Sequence, residues 1–243
     1  MVNTKKMKKI GYRALILIVI TSFLMLLFLP RKEIINRTYP VKGIDVSHYQ
    51  DVIDWKSIAE AGISFVFVKA TEGMSLKDKL FNRNWERIKR EGIRRGAYHF
   101  FPPTISAERQ ANHFSESVAL EMGDLPPVLD VEVLDGVSRK ELLTGVHAWL
   151  VHTEMEYGVK PIIYTNQNFY NKYLKNEFRE YPLWIARYSL REPRLKDKST
   201  WTFWQFTSSG KINGIEGRTD FNVFSGSQEE LDQLGLQPRE IWR

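Results

Sequence analysis

The stretch PPVLDVE, residues 126–132, sets two carboxylates, Asp130 and Glu132, into an otherwise apolar run. Val128, Leu129, Val131 and Val133 read as a buried strand, and three of the four are β-branched. Side chains two apart on a strand point to the same side, with Cα atoms roughly 6.6 Å apart. A buried, unpaired charge is costly and tends to neutralise by shifting its pKa. Two neighbouring acids push their pKa values apart, so one stays protonated while the other is ionised. That division of labour suits acid-catalysed cleavage of a glycosidic bond. Taken alone, the stretch is equally compatible with two solvated acids at an exposed strand end.

The elements that must position these acids alternate along the chain. Candidate strands are residues 43–47, 64–70, 96–101, 127–132, 161–165, 182–188, 202–207 and 218–224. Helical stretches lie between the early strands. Asp54 can cap residues 55–60, with Gly62 closing them. Residues 82–91 stop at Gly92, and 106–122 at Gly123. Ser138 and Glu141 have capping-box spacing at the start of 138–157, which stops at Gly158. Residues 167–174 form a shorter candidate, and EELDQLGL near the end reads as a terminal helix. Eight strands alternating with helices predict a parallel α/β barrel of TIM type with a helix-poor C-terminal third. The runner-up is an open doubly wound sheet, but no GxGxxG or GxxxxGK[ST] loop supports nucleotide binding there.

Barrel chemistry sits at the C-terminal ends of the strands. The candidate strands place Asp45, Lys69, Thr71, Glu72, Tyr98, His99, Asp130, Glu132, Tyr164, Trp184, Arg187, Trp204, Gln205 and Asp220 at or near that end. Each residue alone is weak, since a lone Asp is usually a cap and a lone Trp is usually core. Together, several acids and aromatics at one mouth, with no phosphate loop, suit a sugar polymer.

Composition narrows the classes. The 243 residues are 43% hydrophobic and 13% aromatic, enough for a sizeable core. The net charge of +6 is misleading, because residues 1–42 carry nine basic residues and one acid. The remainder holds 26 basic and 28 acidic residues, which gives no support to nucleic-acid binding. The absence of cysteine excludes disulfides and thiolate chemistry. The five histidines show no metal-ligand spacing, so neither metal nor cofactor is expected.

The basic segment 1–13 precedes an apolar run at 14–29. This is an export signal, either cleaved or retained as an anchor. The run would span about 24 Å as a helix, slightly short of a ~30 Å hydrocarbon core. Its end, FLPRKE, lacks the small residues of a cleavage site, so an anchor is expected. The charge bias keeps residues 1–13 cytoplasmic and puts the residues after about 30 outside the membrane, on the periplasmic or cell-wall side. Residues 30–41 read as a linker, 42–226 as the barrel and 227–243 as a tail packed on or beside it.

The motifs GIDVSHYQ (43–50), IDW (53–55), GISFVFVKATEG (62–73), GAYHFF (96–101), LDVE (129–132), PIIYT (161–165), PLWIARY (182–188) and WQFTSSGKINGIEGRTDFN (204–222) resemble the glycoside hydrolase family 25 lysozymes, or Chalaropsis-type muramidases. They occur in family order across residues 43–224. One departure is Asp51, where the family more often has Gly or Pro. The resemblance implies a flattened α/β barrel that hydrolyses the β-1,4 bond between N-acetylmuramic acid and N-acetylglucosamine in peptidoglycan. It implies Glu132 as general acid, then base. Asp130 would be either nucleophile or holder of the 2-acetamido group. Asp45 and Asp220 would complete the acidic pocket, and Tyr98, Tyr164, Trp184 and Gln205 would contact substrate. A direct nucleophile requires carboxyls about 5–5.5 Å apart, and an inverting pair about 6.5–9.5 Å. Strand neighbours can reach either range, and attack by the acetamido oxygen is the third route and the one expected. The expected partners are glycan strands and a membrane, bound by a monomer. The rival readings are a non-catalytic peptidoglycan-binding barrel, a glycosidase of another N-acetylated polymer such as chitin, and a structural membrane protein.

Overall fold

The structure, a computed structural model, describes residue 35 and residues 37–238. The chain divides into two compact units, residues 1–38 and 39–243. The apolar run 14–29 lies outside the described residues. Among the described residues, no helix is long and apolar enough to cross a membrane.

Among the described residues, the second unit holds nine strands: β1 (Lys42–Val46), β2 (Phe65–Glu72), β3 (Leu76–Lys77), β4 (Arg94–Phe100), β5 (Val128–Asp130), β6 (Ile162–Asn166), β7 (Leu183–Ala186), β8 (Phe203–Gly210) and β9 (Thr219–Phe224). Eight of them close into a barrel in the order β1-β2-β4-β5-β6-β7-β8-β9, with β9 paired back to β1. The short β3 folds back on β2 as an antiparallel extension that the sequence reading did not include. The intervening helices are α1 (Trp55–Glu60), α2 (Phe81–Arg90), α3 (Ala107–Ser117), α4 (Arg139–Tyr157) and α5 (Gln167–Phe169, widening into a turn over Tyr170–Leu174), followed by α6 (Gln228–Leu234).

Two features depart from the expected parallel, helix-alternating pattern. The last strand, β9, runs antiparallel to both β8 and β1. Only residues 211–218 join β8 to β9, too few for the crossover that a parallel return needs. In addition, α3 stops at Ser117 and Val118 is extended, well short of Gly123. The residues beyond turn back so that Asp124 can grip Arg95 through both carboxylate oxygens, at 2.7 and 2.9 Å. That buried bidentate pair outweighs the helical pattern of 118–122.

Alternation along the strands divides the barrel interior into layers. Phe65, Phe67, Val128, Ile162, Trp184, Phe203 and Phe224 fill the lower and middle parts, and Leu231 of α6 joins them at the bottom. Gly96 is required there, because a Cβ would lie 2.6 Å from the Phe67 ring. The next inward positions toward the C-terminal ends are polar, so the barrel carries a dry aromatic plug beneath a polar mouth.

α4 shows how the sequence fixes the frame. Ser138 accepts from the Glu141 amide, and Glu141 accepts from the Ser138 amide, closing both ends of a capping box. Gly158 ends the helix at φ 71°, a conformation that favours glycine.

Candidate active site

Four acids stand at the mouth, each on a different footing. Asp45 is the fourth residue of β1 and is 8% exposed. Its Oδ2 accepts from Asn222 Nδ2 at 2.7 Å and Gln205 Nε2 at 2.9 Å. Asp130 ends β5, is 7% exposed and has one oxygen, Oδ1, buried without a hydrogen-bond partner. Glu132 lies two residues beyond β5 and is half-buried. It lines an open cleft of about 530 Å³ together with Asn166, Gln167, Asn168, Arg187 and Tyr188. Asp220 is the second residue of β9. It reaches the mouth because β9 is antiparallel, so the start of this strand lies where the others end.

The acids share one electrostatic condition. Burial raises the Asp45 carboxyl to about 6, although the bonds from Asn222 and Gln205 pull it down. Burial, then the charges of Asp45 and Glu132, raises Asp220 to about 8. Asp130 is pushed well above the carboxylate range by burial and by Glu132, and Lys69 opposes the shift. Glu132 is raised by burial and by the Asp45 charge. Clustered acids in a low-dielectric mouth retain protons at a pH where exposed carboxyls would have lost them.

A hydrogen-bonded chain fixes Asp45 from beneath and beside. Trp184 Nε1 donates to Asn222 Oδ1 at 2.8 Å, and the Asn222 amide in turn donates to Asp45. Tyr164 and Tyr188 hydroxyls both donate to Gln205 Oε1, at 2.9 and 3.1 Å. The Gln205 amide is thereby oriented with its N–H toward Asp45. Every hydrogen bond in this set agrees with an ionised, accepting Asp45.

The sequence-derived residues thus converge, but at different depths. Tyr98 is partly exposed and faces the charges of Asp45, Asp130 and Asp220. Tyr164 and Gln205 are buried and serve Asp45. Trp184, read as a substrate contact, is 2% exposed and stacks on Phe67 at 4.4 Å. It supports the mouth from below, through its hydrogen bond to Asn222 and its packing against the Tyr164 ring at 4.3 Å. Two residues of the network were not singled out from sequence. Asn222 lies two positions after Asp220, and Tyr188 two after Ala186. The period-2 rule that paired Asp130 with Glu132 would have found Asn222; Tyr188 lies past the end of β7 and is spaced this way only from Ala186, which carries no chemistry. Tyr188 is 61% exposed, but its hydroxyl is partly buried against Gln205, and that desolvation, with the nearby charges of Asp220, Asp45 and Glu132, raises it to about 12.

The model of glycosyl hydrolases family 25 matches residues 44–215. Protein YegX of Escherichia coli K12 is 45% identical over 202 residues, 81% of this chain and 74% of that protein. Lysozyme M1 of Streptomyces globisporus is 34% identical over 208 residues, 80% of this chain and 71% of its own. The solved structure of a family 25 glycosyl hydrolase from Bacillus anthracis superposes with a TM-score of 0.77 at 37% identity, covering 82% of this chain and 94% of that one. The chain belongs to glycosyl hydrolases family 25 and is a glycoside hydrolase of the lysozyme type.

Proposed function

We propose that this lysozyme cuts the β-1,4 bond between N-acetylmuramic acid and N-acetylglucosamine in peptidoglycan, with Glu132 as its general acid. The observation that carries this is the pairing of depths. Glu132 faces an open cleft and is held toward its protonated form, while Asp45 and Asp130 lie buried just behind it. An acid that must reach a leaving oxygen needs both the proton and the access.

Asp130 meets neither need of a nucleophile. It is buried, and its environment favours the neutral carboxyl, which does not attack carbon. The acetamido oxygen of the substrate then attacks C1 as Glu132 protonates the departing oxygen. The resulting cyclic oxazolinium is opened by water that Glu132 deprotonates, and the anomeric configuration is retained. The neutral Asp130 holds the acetamido group by hydrogen bonding, and Asp45, ionised among its donors Asn222 and Gln205, supports the positive charge that develops on it.

The basic segment 1–13 and apolar run 14–29 support a single membrane anchor with the barrel outside the cytoplasmic membrane. Anchoring confines the enzyme to nearby wall, which favours local remodelling of the cell's own peptidoglycan by a monomer.

Digestion of purified peptidoglycan, followed by borohydride reduction and mass spectrometry, tests the bond assignment. Reduced muramic acid at the new ends is expected. Reduced glucosamine at those ends, or digestion of chitin alone, would contradict it.

A further inference from the structure

Tyr49 sits four residues beyond Asp45, just past the mouth end of β1, and is 79% exposed. It is nevertheless held firmly. Its ring lies on His48, with centroids 4.2 Å apart and planes inclined by 34°. His48 is fixed by Asp78, whose Oδ2 accepts from the His48 backbone N–H at 2.9 Å and lies 2.7 Å from its Nδ1. Asp78 is 4% exposed, and its other oxygen accepts from the Leu80 amide at 2.9 Å. The turn His48–Gln50 is closed by its own capping box on Ser47. Asp51 then leaves it at φ 47°, in the region that favours glycine. A buried carboxylate, a stacked imidazole and a strained exit thus present one bare aromatic face to solvent. An incidental surface tyrosine needs none of these supports.

The location gives that face a ligand. In the closed barrel β1 is four strands from β6 in either direction, so Tyr49 stands across the mouth from β6. The cleft beside Glu132 is lined by Asn166 at the end of β6 and by Ala186 at the end of β7. A linear polymer seated in that cleft and crossing the acids leaves the mouth on the Tyr49 side. Aromatic faces bind pyranose rings through the apolar C–H surface of the sugar, with polar groups left at the edges.

We propose that Tyr49, backed by His48 and Asp78, is a stacking platform for an N-acetylated pyranose of the same glycan strand, one or more residues away from the bond that is cut. This subsite rests on the peptidoglycan reading above. It adds affinity for long strands and leaves the chemistry to the acids.

The test uses the full chain carrying Glu132→Gln, so that the glycan is bound but not cut, with peptide-free peptidoglycan glycan strands as the probe. Adding Tyr49→Ala is expected to weaken binding about tenfold, the loss of a single interfacial anchor. Adding Tyr49→Trp instead is expected to preserve or tighten it. Both variants are expected to keep the parent's melting temperature, because the ring is exposed. Unchanged affinity in a folded Tyr49→Ala variant would overturn the platform while leaving the enzyme assignment intact, provided that the wild type digests peptidoglycan. Failure of the wild type to release reducing ends would overturn both.

Discussion

Asp45 and Asp220 stand directly opposite each other across the antiparallel seam between β1 and β9. Like charges in that position oppose pairing of the strands. The seam also closes the barrel, so the two acids are held together by the whole sheet and not by any attraction of their own. Stability is given up here to concentrate carboxyls at the mouth.

The cost is readable as a pH dependence. Asp220 rises from 3.8 to about 8 on folding, so the folded chain holds this proton more tightly than the unfolded one. Its stabilising contribution is full below about pH 4 and is lost as pH rises toward 8. Asp220→Asn is therefore expected to raise Tm at pH 8 by at least about 2 °C, with the gain shrinking toward pH 4. Scanning calorimetry at the two pH values checks this, and a gain independent of pH would contradict it.

The Asp45 charge also acts on the proton of Glu132. Asp45→Asn removes it, so Glu132 should ionise at lower pH. The alkaline limb of kcat/KM is expected to move toward acid. Where residual activity is too low to follow, carbon-13 titration of the Glu132 carboxyl should show the same displacement.

Asn222 joins Trp184 to Asp45 and is fully buried. Asn222→Ala strands the indole N–H and takes one donor from Asp45. A loss of about 1–3 kcal/mol is expected from the unsatisfied buried group, measurable by urea unfolding. Activity should fall as well, because Asp45 is left hanging on Gln205.

Asp51 occupies φ 47°, ψ −138°, which a side chain adopts only under strain. This gives a physical meaning to the one departure from the family motif in that loop. Asp51→Gly is expected to stabilise the chain by about 1 kcal/mol, the relief of strain less the added chain entropy of glycine. Thermal unfolding of the single variant is sufficient to check it.

Much of this was legible in the sequence for definite reasons. Caps at Asp54 and Ser138 and glycines at 62, 92 and 158 mark helix ends that the structure keeps. The i, i+2 spacing of Asp130 and Glu132 marked the acids. What strand periodicity cannot give is depth within a closed barrel. Trp184 and Gln205 share the inward face of their strands with residues above and below, and only the closed sheet shows that Trp184 lies under Asn222. Nor does a local pattern fix strand direction: β9 reads like any other strand, and the shortness of residues 211–218 is the only sign that it turns back. The end of α3 depended on Arg95, more than twenty residues away from Val118, beyond the reach of any helical pattern.

The assignment of Glu132 as the proton donor is tested most directly by Glu132→Gln, which keeps the shape of the side chain and removes its acid. Digestion of purified peptidoglycan is to be followed by release of reducing ends, with Tm measured on the same preparation. The expected result is a loss of about 10²–10⁴-fold in rate with Tm unchanged or raised. Undiminished release of reducing ends by the folded variant would contradict the account.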